Sequence, residues 1–266
     1  MDGVERDLAR LEAVLEGHAK VLVALSGGID SSVVAAAAYR ARQEDSLAVT
    51  LTGPSHPARD LAMARKVADI IGIPYQVHTI DPMTDVDYVR NDADRCYFCR
   101  RLESAQLWGI ARQHEIPIIV DGVHRDDLQD VRPGLRALAQ ADIRHPLLEA
   151  SLGKREVRAI GKLLGLPNHD APANACLASR VTRGIPIRRE VLVRVNDAEE
   201  FLVSLGFNQV RVRTSGLSTR IEVPPEDIPR LSQSEIWSKV KVRLHSLGFE
   251  GIETLPVPYV PAGRVT

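Results

Sequence analysis

The chain has 266 residues, of which 44% are hydrophobic and 26% are charged, and its formal net charge is −1. This length predicts two domains, and the scarcity of aromatic residues, at 4%, predicts a core built from aliphatic side chains. The near-neutral charge argues against a dedicated polyanion-binding protein, which usually carries a basic surplus. No apolar run is as long as a membrane span and the N-terminal residues lack the layout of a signal peptide, so we expect a cytoplasmic protein with no membrane partner.

The first two thirds of the chain alternate short apolar runs with amphipathic stretches. The predicted strands are Lys20–Leu25, Ser46–Leu51, Tyr75–Ile80 and Ile116–Val120, and the predicted helices are Ser32–Arg42, Pro57–Ile71, Arg101–His114 and Gly153–Leu164. Continuous apolar strands that alternate with helices are typical of a parallel sheet covered by helices on both faces. We therefore predict that the chain begins with an α/β domain.

After Pro186 the pattern becomes that of a smaller α+β domain. Helices are predicted over Glu190–Leu205 and Glu235–Leu247, and strands over Gln209–Arg213, Thr219–Val223 and Gly251–Leu255, the first two strands forming a hairpin. We place the boundary near Gly184–Arg188, so that the domains comprise residues 1–185 and 186–266. The tail Pro256–Thr266 is rich in proline and glycine and is expected to be irregular.

A segment rich in serine and glycine joins the first predicted strand to the first predicted helix. It reads Ser26-Gly27-Gly28-Ile29-Asp30-Ser31-Ser32. Glycines allow the backbone to approach an anion, and the amides at a helix N-terminus, together with serine hydroxyls, can bind phosphates. The segment has no lysine and is therefore not a Walker A motif, and Asp30 beside phosphates implies an intervening divalent cation such as Mg²⁺. The simpler alternative is a helix start in which glycine forms the turn and Asp or Ser the cap.

The string S-G-G-x-D-S after an N-terminal strand resembles the PP-loop of N-type ATP pyrophosphatases. This resemblance implies an adenine-nucleotide α-hydrolase-like fold and cleavage of ATP between its α- and β-phosphates. The loop would hold pyrophosphate while AMP passes to the substrate. The nucleotide-binding residues so implied are Ser26, Gly27, Gly28, Asp30, Ser31 and Ser32, with Asp30 and Ser31 also expected to act in catalysis.

Further motifs distinguish among PP-loop enzymes. They are DRCYFCR at residues 94–100, DGVHRDDLQDVRPG at 121–134, PANACLASR at 172–180 followed by GIPI at 184–187, RVR at 211–213 and RIEV at 220–223. Together they resemble the LarE family, the ATP-dependent sulfur transferases of nickel-pincer nucleotide cofactor biosynthesis, over about Val21 to Leu231. The resemblance implies that the carboxylates of pyridinium-3,5-biscarboxylic acid mononucleotide are adenylated and then converted by sulfur to thiocarboxylates. Val123 and His124 stand where the family loop usually has Thr and Asn.

The three cysteines, Cys96, Cys99 and Cys176, are an odd number and do not indicate a disulfide framework. Two sulfur sources are possible. The three thiolates can hold a [4Fe–4S] cluster whose fourth iron carries sulfide, or Cys176 can give up its own sulfur and become dehydroalanine. LarE-like chains with all three cysteines resemble the cluster type, so we expect a cluster. Inert buried thiols, or zinc with His78 or His124 as a fourth ligand, are the alternatives.

Several charged residues are candidates for binding the substrate or a cation. Arg211 and Arg213 alternate along a predicted strand and therefore share a face, where they can bind a phosphate, and Arg180 is assigned to the same task. The family resemblance implies that Glu200 and Glu222 bind a divalent cation. Solvent-exposed side chains are the alternative for each of these residues.

Asp126, Asp127 and Asp130 follow the predicted strand Ile116–Val120, at the edge where ligands bind in α/β sheets. We assign Asp126 and Asp127 to nucleotide binding, with a polar solvated loop as the alternative. The expected cofactors are ATP, Mg²⁺ and a [4Fe–4S] cluster.

The expected partners are a small-molecule nucleotide substrate, sulfide or another sulfur donor and further copies of the chain, but no nucleic acid. A PP-loop tRNA thiolase is the competing enzyme, disfavoured by the neutral charge. A non-catalytic adenine-nucleotide-binding module or an NAD synthetase-like amidating enzyme would leave the cysteines without a role.

Overall fold

The computed structural model describes residues 3–129, 133–172, 174–216 and 218–259. The helices are Gly3–Glu16 (α1), Ile29–Arg42 (α2), Ala58–Ile71 (α3), Val86–Val89 (α4), Arg95–Gln113 (α5), Pro133–Gln140 (α6), Pro146–Glu149 (α7), Lys154–Leu163 (α8), Arg189–Ser204 (α9), Ile228–Leu231 (α10) and Ser234–Ser246 (α11). The strands are Val21–Ala24 (β1), Ser46–Thr52 (β2), Tyr75–Thr79 (β3), Ile118–Val120 (β4), Arg211–Thr214 (β5), Thr219–Val223 (β6) and Val257–Pro258 (β7). Within these residues, no helix combines the length and the apolar character needed to cross a bilayer.

The chain divides into two compact units, one of residues 1–82 and 94–174 and the other of residues 83–93 and 175–266. The first unit contains a four-stranded sheet in the order β3-β2-β1-β4, and all its strand pairs are parallel. The central strand β1 pairs through Val21 with Ser46 of β2 and with Ile118 of β4. The predicted parallel α/β sheet is thus confirmed.

Both faces of this sheet are covered because side chains alternate along β1. Val21 and Val23 pack into a cluster that includes residues of α1, α2, α3 and α8. Leu22 packs on the opposite face with Leu107 and Ile110 of α5. Helix α1 was not predicted. Its buried side consists of Leu8, Leu11 and Leu15, which recur at helical spacing.

Two predicted elements differ from the structure. Helix α5 begins at Arg95 rather than Arg101, because the amides of Tyr97 and Phe98 both donate to the Asp94 carbonyl and start the helix early. The predicted strand Gly251–Leu255 is wrong. The last strand is β7, and Ile252 forms only a single bridge with Thr219, since Gly251 has φ +57° and interrupts the extended backbone.

The second unit contains a three-stranded sheet in the order β5-β6-β7. Strands β5 and β6 form the predicted antiparallel hairpin, and Arg211 lies opposite Glu222. Residues 83–93 and 175–185, which precede the predicted boundary, group with this unit. The fully buried side chain of Asn91 joins them, since its amide donates to the carbonyls of Thr182 and Ile185 at 2.9 Å each.

Candidate functional site

The serine- and glycine-rich segment 26–32, here called the phosphate loop, is closed by hydrogen bonds among its own residues. Ser31 Oγ accepts from the Ser26 amide and donates to the Gly28 carbonyl, both at 3.1 Å. Ser32 Oγ donates to the same carbonyl at 2.8 Å. Gly27 has φ +85°, and a Cβ there would lie 2.2 Å from the Asp60 carbonyl oxygen, so only glycine fits this turn.

The phosphate loop leads directly into the N-terminus of α2. Gly28 is the N-cap residue, and it supplies no side chain to cap the helix. A helix N-terminus without a side-chain cap is the kind of helix end at which phosphates bind in proteins. Asn168, which is 1% exposed, supports the loop from behind by donating to the Gly27 carbonyl at 2.8 Å and to Ser32 Oγ at 3.0 Å. Sequence reasoning did not identify Asn168, because no motif near it connects it with the loop.

Asp30 of the phosphate loop forms a close ion pair with a lysine from a distant part of the chain. Lys154 Nζ lies 2.8 Å from Oδ1 and 2.6 Å from Oδ2 of Asp30. His124 Nε2 lies 3.8 Å from Asp30 Oδ1. From the sequence, Lys154 has no signal beyond its place at the start of a predicted helix, and the only role predicted for His124 is that of a zinc ligand.

The loop after β4 lies against the start of α2. A Cβ on Gly122 would approach the Ser31 amide nitrogen to 2.6 Å. Asp126 Oδ2 accepts from the Lys154 amide at 2.8 Å, a bond that is the main cause of the lowered pKa of Asp126, and Asp127 Oδ2 accepts from the His124 amide at 3.1 Å. The two predicted aspartates thus lie in the same site as Asp30, where they bind protein groups. Asp130 lies outside the described residues.

Cys96 and Cys99 both lie in the first two turns of α5. Their spacing of three residues puts them on one side of the helix, where Cys96 is exposed and Cys99 is half-buried. Cys99 Sγ donates to Glu103 Oε1 at 3.3 Å, and Arg100 Nη1 donates to Glu103 Oε2 at 2.7 Å. Burial raises the pKa of Glu103, but the charge of Arg100 and a hydrogen bond with His56 outweigh it and lower the pKa to about 2. Glu103 is therefore a charged carboxylate beside a thiol, which the sequence did not predict.

Cys176 precedes a short 3₁₀ helix, Leu177–Arg180, in the second unit. Its thiol is half-buried. Arg180 holds the backbone of this segment, because its Nη1 donates to the carbonyls of Ala175 at 2.6 Å and Cys176 at 3.1 Å. The rest of the Arg180 guanidinium forms a bidentate pair with Glu199, with bonds of 2.8 and 3.1 Å. Both side chains of this pair are at most 1% exposed, so the structure places Arg180 beneath the cysteine segment rather than on a surface.

Three arginines and a glutamate share one face of the β5–β6 hairpin. Arg213 Nε and Arg220 Nη2 contact Glu222 Oε1 at 2.7 and 3.0 Å, and Arg211 packs 5.3 Å from the ring of Tyr259. The side chains together carry a net charge of +2, which suits a phosphate. Glu222 Oε2 is buried and has no hydrogen-bond partner among the described residues.

The other predicted cation ligand, Glu200, lies on α9 and lines a shallow pocket with Asp197, Phe201 and Arg243. Among the residues that the structure describes, no group of three or more His, Cys, Asp or Glu side chains is arranged to hold a metal ion. The predicted metal ligands thus remain predictions.

Comparison with known proteins shows the family to which the chain belongs. The model of the family described as NAD synthase matches residues 8–115, which include the phosphate loop. The pyridinium-3,5-bisthiocarboxylic acid mononucleotide synthase of Lactiplantibacillus plantarum is 32% identical over 259 residues, covering 97% of this chain and 92% of that protein. The chain belongs to the LarE family.

Other relatives differ in how much of this LarE-family chain they match. An uncharacterized protein of Synechocystis sp. is 39% identical over 86% of both chains. The tRNA-cytidine(32) 2-sulfurtransferase 1 of Francisella philomiragia is 28% identical over 43% of this chain and 47% of its own. The family match supports ATP use, sulfurtransferases are among the relatives, and the synthase is similar over nearly the whole chain.

Proposed function

We propose that this protein is a cytoplasmic ATP-dependent sulfur transferase that converts pyridinium-3,5-biscarboxylic acid mononucleotide to the bisthiocarboxylic acid. The observation that carries the proposal is the phosphate loop: a self-closed turn that leads into an uncapped helix N-terminus, in a chain similar over 97% of its length to a synthase of that product. The proposed division of labour is nucleotide chemistry in the first unit and substrate binding in the second.

In the first half-reaction, a substrate carboxylate oxygen attacks the α-phosphorus of ATP. The bond between that phosphorus and the oxygen bridging to the β-phosphate breaks, and its electron pair leaves with pyrophosphate. The amides at the start of α2 and the hydroxyls of Ser26 and Ser31 are suited to hold pyrophosphate. Mg²⁺ would supply positive charge for the phosphates when bound, with Asp30 as its expected protein ligand.

In the second half-reaction, sulfide attacks the acyl carbon of the adenylate. The carbon–oxygen bond to AMP breaks, and AMP leaves with the electron pair, which yields the thiocarboxylate. A [4Fe–4S] cluster held by Cys96, Cys99 and Cys176 would supply the sulfide. The positions of Cys96 and Cys99 on one side of α5 suit two of these ligands.

The arginine face of β5 and β6 is the proposed site for the substrate's phosphate. Arg211 and Arg213 are the assigned ligands, and the net positive charge of the face favours a phosphate dianion. Arg180, assigned to the same task from sequence, is proposed instead to position Cys176, since its donors are occupied by the Ala175 and Cys176 carbonyls and by Glu199.

The first experiment measures pyrophosphate release from ATP in the presence and absence of the biscarboxylate substrate. We expect substrate-dependent release by wild type, none by Asp30→Ala, and normal release by Asp45→Ala, whose carboxylate lies on an exposed 3₁₀ turn. A folded Asp30→Ala protein that released pyrophosphate at the wild-type rate would contradict the assignment of the loop.

The second experiment identifies the sulfur source. Under anaerobic conditions, Cys96→Ala, Cys99→Ala and Cys176→Ala should each lose sulfur transfer while keeping adenylation, and wild type should absorb broadly in the visible range and turn over repeatedly with added sulfide. Activity in the Cys96 and Cys99 variants, with loss of one hydrogen sulfide from the chain, would instead identify Cys176 as a consumed donor.

A tRNA thiolase is the second candidate, because tRNA sulfurtransferases match 43% of the chain at 28% identity. The match is confined to less than half of the chain, and the net charge of −1 provides little general attraction for a polyanion. Tight tRNA binding with a steep dependence on salt would favour this candidate over the synthase.

A further inference from the structure

The phosphate loop contains no lysine, yet the ammonium group of Lys154 lies beside it. Lys154, which is 124 residues from Asp30 in sequence, places Nζ within 2.8 Å of both Asp30 carboxylate oxygens. Asp30 is the second residue of α2, so this ammonium lies at the helix end that is suited to bind phosphates. Lys154 therefore supplies a positive charge to the phosphate loop from another helix.

The backbone of Lys154 is held firmly by contacts that do not involve its side chain. Its amide donates to Asp126 Oδ2 at 2.8 Å, and the preceding Gly153 amide donates to Glu156 Oε2 at 3.0 Å. Helix α8 also packs tightly on the start of α2, since a Cβ on Gly161 would come within 2.6 Å of Ile29 Cδ1. These contacts therefore fix the backbone of Lys154, while its aliphatic side chain extends to the phosphate loop.

The ion pair with Asp30 is a poor structural anchor. The side chains of Lys154 and Asp30 are 29% and 25% exposed, and pairs that water can reach contribute little to stability. A nucleoside triphosphate brings several negative charges, which the Lys154 ammonium can pair with. A partly exposed positive charge at this position is better explained by a phosphate ligand than by folding.

We propose that Lys154 is a catalytic residue that binds the β-phosphate of ATP and stabilises the charge formed on pyrophosphate. When ATP binds, the ammonium leaves the Asp30 carboxylate and donates to phosphate oxygens. As the bond between the α-phosphorus and the bridging oxygen breaks, the electron pair stays on that oxygen of pyrophosphate, beside the lysine charge. No proton is transferred, and Lys154 remains an ammonium throughout. The inference rests on the proposed ATP α–β cleavage.

The test compares Lys154→Met with Lys154→Arg and with Arg155→Met as a matched control. Arg155 is the next residue of α8, and its side chain is 94% exposed. The rate of pyrophosphate release is measured with ATP and the biscarboxylate substrate, and the affinities for inorganic pyrophosphate and for AMP are measured by calorimetry. Losing a charge-assisted hydrogen bond should lower the release rate and the pyrophosphate affinity of Lys154→Met by about ten- to a hundredfold.

The AMP affinity and melting temperature of Lys154→Met should stay at wild-type values, Lys154→Arg should recover part of the loss, and Arg155→Met should behave as wild type. Wild-type release and pyrophosphate affinity in Lys154→Met would overturn the proposal, and so would an equal loss of AMP and pyrophosphate affinity, which indicates a structural role. If Lys154→Met does not fold, Lys154→Gln removes the charge but keeps a polar N–H donor, and the same comparison applies. Absence of release by wild type would count against the proposed function, while pyrophosphate binding would still test the lysine.

Discussion

The phosphate loop and the Cys176 segment are both short turns that present a functional group, but they are held in different ways. Residues 26–32 close on themselves through bonds that span at most five residues, such as Ser31 Oγ with the Ser26 amide and the Gly28 carbonyl. The segment from Ala175 to Arg180 depends on a buried ion pair with Glu199, a residue of a different helix. A turn of the first kind can be recognised from its own residues, whereas the second also needs a distant partner, because the guanidinium that bonds to the Ala175 and Cys176 carbonyls is itself paired with Glu199.

The largest effect that we expect comes from breaking the buried pair of the second turn. Arg180→Ala should lower the free energy of unfolding by about 3–5 kcal/mol, because it leaves the Glu199 carboxylate buried without its counter-charge. Chemical denaturation measures the loss, and Arg220→Ala, which removes an arginine that is 45% exposed, is the control. A change below about 1 kcal/mol in Arg180→Ala would contradict the comparison.

The same pair can be removed without leaving a lone charge. In the double variant Arg180→Met/Glu199→Gln, the glutamine oxygen can still accept from the Val212 amide, which bonds to Glu199 at 3.0 Å in the wild type. This variant should regain part of the stability lost in Arg180→Ala. Sulfur transfer should nevertheless stay impaired, because the Ala175 and Cys176 carbonyls still lack their donor.

The next largest effect concerns the self-closed turn. Gly27→Ala should cost at least about 2 kcal/mol of unfolding free energy and abolish ATP binding, because the new Cβ must move away from the Asp60 carbonyl in a strained left-handed conformation. Gly184→Ala is a matched control, since Gly184 has φ +82° and nothing within 4 Å of its added Cβ. Equal costs for the two variants would show that strain alone, and not close approach, requires glycine at position 27.

A smaller effect is expected for the arginine face, which lies in the same unit as the Cys176 segment. Arg211→Ala and Arg213→Ala should each weaken substrate binding by about ten- to a hundredfold, or roughly 1.5–3 kcal/mol, while the affinity for ATP stays unchanged. Calorimetric titration with each ligand separates the two affinities, and Lys239→Ala, on an exposed part of α11, is the control. Equal losses for ATP and substrate would instead assign these arginines to the nucleotide.

The smallest expected effect concerns the ion pair between His145 and Asp121. Burial lowers the pKa of His145, but its hydrogen bond with Asp121 at 2.7 Å and the negative charge there outweigh this, so the pKa lies above 6.5. Because the pKa is higher in the folded protein, the pair stabilises the fold below about pH 6.5, and this contribution is lost as the pH rises through the folded-state pKa.

The unfolding free energies of wild type and His145→Gln should therefore differ more at about pH 6 than at about pH 9. The exposed residue His114 provides the control variant His114→Gln. A difference in unfolding free energy that grows as the pH rises would contradict this prediction, because the pair would then stabilise the fold more at high pH than at low pH.

Much of the fold could be predicted because its signals are local. Buried apolar runs identified β1 to β4 within about two residues at each end, and the alternating pattern identified the β5–β6 hairpin. The early start of α5 was missed because the segment around Cys96 and Cys99 lacks an apolar periodicity, and its first turn is bonded to the backbone of Asp94. The wrong last strand shows the same limit, since the positive φ of Gly251 is not readable from an apolar run.

The sequence by itself determined the phosphate loop, the family resemblance and the α/β order of the first unit, because each depends on residues close together in the chain. Only the tertiary structure decided that Lys154 reaches Asp30, that Asn168 supports the loop and that Arg180 lies buried with Glu199 beneath the Cys176 backbone. These are pairings between side chains far apart in sequence. No local propensity encodes such a partner, because it is selected by how helices and strands pack and by the cost of burying a charge or a polar group alone.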